Sequence, residues 1–375
     1  MDIRDYVEAG LYDSNHPDAA TRLELLEFLV SEGFTVEEMV EADARGRLFG
    51  LVGDKELLQG GLRYTLREIA EQCGLDVEFV RRLWRALGLA DPGGDAVVAT
   101  AGDVHGFSRI KVWVDRWGET ATIGVVRVIG SAAARLADAG SAAGRSSTPA
   151  ASVATSNELA TARYYKASVE SLRGLGDVVE GAARHHADAS RRRFDASNSF
   201  DVMLERQARF AVAFVDMSGY TELSQSLTAQ EISALASGFE ELMTAMVAGT
   251  STRVVKFAGD AALVVSPSSQ ELADVCLRAV SARGWSPVPI RVRAGMSYGE
   301  LVTQDGDVFG SDANLAARLV SLAEPGTVVA TRALIDQLDR TLFETRELPA
   351  QRVKGVAEPV KLFVVSDGYV NGPDA

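Results

Sequence analysis

The sequence predicts a two-part chain, an all-α first half followed by an α/β sandwich with one helical layer on a mixed sheet. Three observations predict it. Apolar residues recur at helical spacing through roughly the first 200 residues. Beyond residue 207, apolar runs of strand length alternate with helical patterns, which places helices against hydrophobic strands. The 375-residue length favours two or three domains, and 47% hydrophobic residues can fill their cores.

The elements follow in order. Leu23, Leu26 and Val30 form a helical stripe, and Gly33 is its stop. Thr35 with Glu38, and Thr65 with Glu68, have capping-box spacing and start two further helices. Residues 66–87 form short apolar-striped segments around a turn at Gly74. Residues 137–156 are mostly Ala, Ser, Gly and Thr, which predicts a loose connection. Helical periodicity resumes over 158–179. The domains are therefore set at 1–186 and 207–367, joined by a linker helix over 187–206 and followed by a tail at 368–375. In the second domain, strands are predicted over 210–215, 254–257, 262–265, 292–296, 327–330 and 361–365. Helices are predicted over 228–247, 270–282 and 313–322.

Composition narrows the function. A net charge of −14 repels nucleic acid and anionic membranes, and it also opposes a nucleotide substrate. A phosphate site would therefore depend on metal ions and a few local cations. The most apolar stretch, 121–136, is interrupted by Arg127 and Arg135, so no transmembrane segment is expected. The first residues lack the basic and apolar regions of a secretory signal. Cys73 and Cys276 are far apart in sequence, which suggests reduced thiols in a cytoplasmic protein.

Two acids carry the chemistry. Asp216 closes the apolar run Phe210-Ala-Val-Ala-Phe-Val-Asp216, and Asp260 sits between two apolar runs in Gly259-Asp260. Stiffly held carboxylates of this kind suit Mg²⁺, and a pair of them could hold two divalent ions around a phosphoryl group. The plainer alternatives are a helix cap for Asp216 and a hairpin-turn residue for Asp260. A third element, Asp307-Val-Phe-Gly-Ser-Asp-Ala-Asn-Leu-Ala-Ala-Arg318, lines up an acid, an amide and a guanidinium at a helix entry.

Together, Phe214-Val-Asp-Met-Ser-Gly-Tyr-Thr221, Lys256-Phe-Ala-Gly-Asp260 and the 307–318 segment resemble the signature segments of class III nucleotidyl cyclases, in the same order. The resemblance covers about 207–367. It implies a ferredoxin-like catalytic domain that converts ATP to cyclic AMP and pyrophosphate in a head-to-tail homodimer with shared sites. It assigns Asp216 and Asp260 to two divalent metal ions, Mg²⁺ or Mn²⁺. It assigns Lys256 and Asp307 to adenine, whose N1 acceptor and 6-amino donor they complement, whereas guanine reverses that polarity. It assigns Asn314 to the ribose and Arg318 to charge on the α-phosphate. These two are four apart on one helix and share a face. Lys354 resembles the lysine that holds the β- and γ-phosphates, with Arg352 close enough to substitute. Asp312 and Ala313 depart from the family pattern, and an acid at 312 would weaken nucleotide binding or face solvent. A guanylate cyclase and a catalytically silent nucleotide-sensing or DNA-binding regulator are the alternatives. The adenine pair argues against the first and the complete site set against the second.

In the first half, residues 65–89 resemble a helix-turn-helix. Between residues 60 and 90, however, five arginines (63, 67, 81, 82, 85) face four acids (68, 71, 76, 78), a balance that favours packing over DNA. The helical half joined to a cyclase resembles the regulatory region of soluble actinobacterial adenylate cyclases. That implies an inhibitory module responsive to a proton or a lipid-like effector. His185 and His186, beside the linker, could sense mild acid, or could simply face solvent on a charged helix. The apolar segment 123–136 could line an acyl pocket, with core packing or dimer contact the simpler use.

Overall fold

The computed structural model describes residues 2–58, 61–147, 157–170, 172, 174–196, 207–354, 356 and 358–368. The chain divides into two compact units, Met1–Arg184 and His185–Ala375.

The first unit is helical apart from a short ladder of Tyr64–Thr65 with Val97–Ala99. Both anticipated capping boxes form, at Thr35 and Thr65, and Gly74 ends its helix in the left-handed conformation that glycine adopts without strain. Two cores hold the unit. In one, Leu25, Leu26, Leu29 and Met39 pack with Leu159 and Ala162 of the Glu158–Glu170 helix. Half-buried Arg22 ties the same helix down, donating to Asp43, Glu158 and the Leu11 carbonyl. In the other, Leu66, Ile69, Phe79, Val80 and Leu83 of the helix-turn-helix-like segment pack against Phe107, Ile110 and Val126. Its arginines are committed to acids: Arg67 to Asp95, Arg81 to Glu78 and Asp91, and Arg82 to Glu119.

One expectation here is corrected. Residues 137–147 are helical rather than loose, because the Ala101–Ser147 helix runs through them with a break at Gly118. Alanine is the strongest helix former, so an Ala-rich stretch extends a helix that a tally of small residues reads as slack. The 123–136 segment serves in part the core packing expected as its simpler use: Ile123 and Val126 join the core, and the rest is mostly exposed. Val126 is buried, whereas Val125, Val128, Ile129 and Leu136 are exposed. By length and composition, Ala101–Gly144 is apolar enough to cross a membrane, with a mean hydropathy of 1.2 over its most apolar window.

The second unit is built on an eight-stranded sheet: β1 (Gln207–Met217), β2 (Arg253–Ala258), β3 (Ala261–Ser266), β4 (Val292–Gln304), β5 (Asp307–Phe309), β6 (Val328–Thr331), β7 (Phe343–Glu347) and β8 (Leu362–Asp367). The order is β2-β3-β1-β4-β6-β8-β7, with β5 paired to β4. Its first four strands, with helices α1 (Ala229–Val247) and α2 (Ser269–Ser281), form the β-α-β-β-α-β ferredoxin-like arrangement. The pairings are antiparallel except β4 with β6.

Side-chain alternation separates the two faces of the sheet. Ala211, Ala213 and Val215 of β1 and Ala262 and Val264 of β3 pack under Leu235, Phe239 and Met243 of α1 and Leu272 and Cys276 of α2. Val212, Leu263, Val265 and Leu301 point the other way, to Ala313 and Ala316 of helix α3 (Ser311–Leu319). A single layer was expected to hold all three helices. Helices α1 and α2 form it, but α3, whose stripe is small and alanine-rich, packs on the opposite face of the sheet. The edge strand β7 was not anticipated. Only the first of its five residues is buried, so it carries no apolar pattern.

Candidate active site

The sequence-predicted site residues gather on or around the α3 face. Asp216 lies one residue before the end of β1, on the same parity as Val212 and Phe214, and faces α3's side of the sheet. Asp260 belongs to the two-residue turn between β2 and β3, with Gly259 at φ +64° as a II′-like hairpin requires. The turn is stapled to β1 by the Met217 amide, which donates to the Asp260 carbonyl at 3.0 Å. The two carboxylates are therefore on adjoining backbone segments. Asp216 is no helix cap: the Arg293 guanidinium donates twice to its Oδ2, from Nε and Nη2, at 3.0 Å each. Burial pushes the Asp216 carboxyl above its usual range, the Arg293 hydrogen bonds pull it back, and the charge on Asp260 pushes it up again.

These residues fit a divalent metal. Two hard carboxylates that repel each other gain from a shared cation. Among the described residues, no group of three or more His, Cys, Asp or Glu side chains forms a cage. Mg²⁺ is held in this sparse way, by one or two carboxylates that leave room for phosphate oxygens and water.

A β-bulge aims Lys256. The β2–β3 ladder pairs Val254 with Val264 and then Lys256 with Leu263, so Val255 is the extra residue. In a regular strand Lys256 would share Val254's face. The bulge turns it to the α3 face instead. There Lys256 Nζ donates to Asp307 Oδ2 at 2.5 Å. Asp307 is presented by a tight turn at Asp305-Gly306, both with positive φ, which pairs it with Gln304. Burial raises the Asp307 carboxyl, but hydrogen bonds from Lys256 and from the Val308 amide at 2.7 Å outweigh it and leave the group below the usual range.

Helix α3 carries Asn314 and Arg318. Its inner stripe, Ala313 and Ala316, is small and buried, which lets the helix approach closely. The strand beneath answers with small residues of one parity, Gly295, Ser297 and Gly299. A Cβ on Gly295 would lie 2.4 Å from the Val320 nitrogen and 2.6 Å from the Ala316 carbonyl oxygen. Asn314 is exposed and Arg318 half-buried, four apart on one side of the helix. Neither forms a side-chain hydrogen bond or ion pair among the described residues, and neither touches Asp216 or Asp260 in that way. Asp312 and Ala313, read as loop positions, form the first turn of α3. Asp312 does not face solvent, since Ser297 Oγ donates to it at 2.8 Å. Lys354 is exposed, in the connection between β7 and β8, next to Val353, which is buried with Leu319 of α3. That contact brings the Lys354 segment to the C-terminal end of α3. In the linker region, His185 and His186 are both exposed on the Leu175–Ala196 helix. Residues 197–206 of the expected linker helix lie outside the described residues.

Sequence reasoning missed Arg293 and the Val255 bulge. Arg293 had one signal: an arginine opening a strand whose alternate positions are Gly, Ser and Gly. The bulge had none.

The ferredoxin-like sheet carries two acids on adjoining segments and a separate Lys256–Asp307 ion pair. Comparison with known proteins gives the family. Residues 4–181 match the adenylate cyclase regulatory domain, and residues 202–367 match the adenylate and guanylate cyclase catalytic domain. The chain is 38% identical over 350 residues to an uncharacterized protein of Mycobacterium tuberculosis, covering 92% of this chain and 90% of that one. It is 30% identical over 368 residues to a pH-sensitive adenylate cyclase of the same organism, covering 93% and 89%. It is also 30% identical over 308 residues to an adenylate cyclase of Streptomyces coelicolor, covering 81% and 77%. The chain belongs to the class III adenylate cyclases of actinobacterial type, in which a helical regulatory domain precedes the catalytic domain.

Proposed function

We propose that this chain converts ATP to 3′,5′-cyclic AMP and pyrophosphate, by attack of the ribose 3′-hydroxyl on the α-phosphate. The observation that carries this reading is the Lys256–Asp307 pair. A donor and an acceptor, turned by the bulge onto the face that holds Asp216 and α3, complement adenine's N1 and 6-amino group. Asp216 and Asp260 would hold two divalent ions, Mg²⁺ or Mn²⁺. When bound, these supply charge stabilisation to the attacking and leaving oxygens. Lys256 and Asp307 part to admit the purine, and Lys256, about half exposed, is free to swing. Asn314 orients the ribose. Arg318 offers a fixed fork of donors to charge that grows on the α-phosphate. Lys354 holds the β- and γ-phosphates.

The site is completed by a second copy in a head-to-tail homodimer. This is supported by the single chain, in which Asn314 and Arg318 make no side-chain hydrogen bond to either metal aspartate. The first unit regulates the second, in response to a proton or lipid-like effector, a reading supported by the regulatory-domain match. A cytoplasmic location is part of this reading, supported by two free, buried cysteines that suit a reducing compartment.

The deciding assay is purified protein with ATP or GTP, with Mg²⁺ or Mn²⁺, over a pH series. Cyclic AMP from ATP in preference to cyclic GMP from GTP supports the reading, and no cyclic nucleotide under any condition overturns it. Shared sites are tested by mixing inactive Asp216→Ala with inactive Arg318→Ala protein. Random pairing restores about a quarter of the sites, and no recovery refutes sharing. A double alanine at His185 and His186 with an unchanged pH profile removes those residues as the proton sensor.

A further inference from the structure

We propose that Asp312 is a positioning residue that fixes α3, and with it Asn314 and Arg318, against the sheet. This rests on the cyclase reading above.

The sequence offered an acid beside the nucleotide or an acid in solvent. The structure puts its carboxylate onto strand β4. Ser297, fully buried, donates from Oγ to Asp312 Oδ1 at 2.8 Å. Having given its one proton to Asp312, Ser297 accepts from Thr331 Oγ1 at 3.4 Å. Thr331, also buried, accepts in turn from the Leu334 amide at 3.4 Å as the cap of the next short helix. The run is directional, amide to hydroxyl to hydroxyl to carboxylate, and it ends on a group that only accepts. Asp312 Oδ2 takes a further contact from Ser311 Oγ at 3.4 Å.

The seat beneath is cut to fit. A Cβ on Gly299 would fall 2.0 Å from Asp312 Oδ2. A glycine at 299 and a serine at 297 thus accommodate one carboxylate, at the end of α3 whose capping residue, Gly310, supplies no side-chain hydrogen bond. A carboxylate in the first turn also suits the positive end of the helix. Asn314 follows Asp312 by two residues and Arg318 by six, so a helix released at this end moves both. Their contribution is made in the transition state, so misplacing them lowers kcat while leaving KM for ATP nearly unchanged.

The test uses the full chain and compares Asp312→Ala, Asp312→Asn, Ser297→Ala and the Ser297→Ala/Asp312→Ala double variant. Asp312→Ala and Ser297→Ala should each lower kcat about tenfold or more, with KM for ATP within about twofold. Asp312→Asn keeps an oxygen that can accept from Ser297, so it should retain most of the activity. The double variant should fall no further than the worse single variant. An unchanged kcat in Asp312→Ala overturns the proposal. So does a lowered KM as its main effect, which would mark an acid that repels nucleotide, or additive losses in the double variant. A purely structural role would lower the melting temperature without the split between kcat and KM. If Asp312→Ala does not fold, Asp312→Asn and Ser297→Ala carry the same test. Failure of the parent reading is separate, because the unmodified protein would then make no cyclic AMP.

Discussion

Asp216 and Asp307 face the same side of one sheet, and each is hydrogen-bonded by a cation, yet their acidities move in opposite directions. Asp216 is the more buried, its side chain 13% exposed against 27% for Asp307. It has the charge of Asp260 beside it, and Arg293 does not make up the difference. Asp307 has Lys256 and the Val308 amide and ends up more acidic than usual. On the proposed reading, the difference separates a recognition pair that is already complete from an ion site that is not. Asp307 is held below its usual range by Lys256 and the Val308 amide, whereas burial and the charge of Asp260 hold Asp216 above its usual range despite Arg293. A divalent cation is the natural remedy for the second and irrelevant to the first.

The largest effect should come from the unfinished site. Asp216→Ala or Asp260→Ala is expected to lower kcat about 10³-fold, as loss of several kcal/mol of charge stabilisation implies. Activity within tenfold of the unmodified protein would sink the metal assignment. Next in size, Arg318→Lys should cost about 10²-fold in kcat, because an ammonium cannot reproduce the planar fork. An effect confined to KM would mean that Arg318 only binds ground-state substrate. Smaller again, Lys256→Ala should raise KM for ATP about tenfold, the value of one lost interaction. Deletion of Val255 should not mimic it, because Lys256 then directly follows Val254 in a regular strand and stays opposite Leu263 on the α3 face. A deletion variant that loses its ATP preference would show that the face of Lys256 is not set by this rung alone.

How much of this was legible in the sequence differed by element. Strands β1, β3 and β4 and helices α1 and α2 were legible because their cores are continuous and apolar. The edge strand β7, with four of five residues exposed, offered no pattern to read. The site residues were legible as a set only through three motifs in order. Their composition alone left Asp216 as a helix cap and Asp260 as a turn residue. What stayed hidden depends on register. Arg293 meets Asp216 only because β4 pairs with β1 at that rung, and Asp312 meets Ser297 only because α3 lies along β4. Neither pairing is encoded by local spacing. In the helical half, capping boxes at Thr35 and Thr65 were legible as two-residue signatures. The reach of the Ala101–Ser147 helix was not, since small residues serve loops and helices alike.

The smallest expected effect tests the opening contrast directly, through thermal stability in metal-free buffer. A carboxyl whose native pKa is raised destabilises the fold once it is ionised. The stability it contributes falls as pH rises from the ordinary carboxylate range through the raised native value, and the deficit is complete above that value. Asp260→Asn removes one cause of the raised Asp216 value, so it should raise the melting temperature at pH 7 by on the order of a degree or two. The gain should vanish at a pH low enough to protonate Asp216 in both states. Asp307 behaves oppositely. Its depressed native pKa stabilises the fold above the ordinary carboxylate range, and that contribution is lost as pH falls through the native value. Asp307→Asn should therefore lower the melting temperature at pH 7 by a similar amount. Added Mn²⁺ should stabilise the unmodified protein by an amount that grows with concentration and should do little for Asp260→Asn. If Asp260→Asn melts lower than the unmodified protein without metal, the two aspartates do not crowd each other, and the case for a shared cation loses its electrostatic basis.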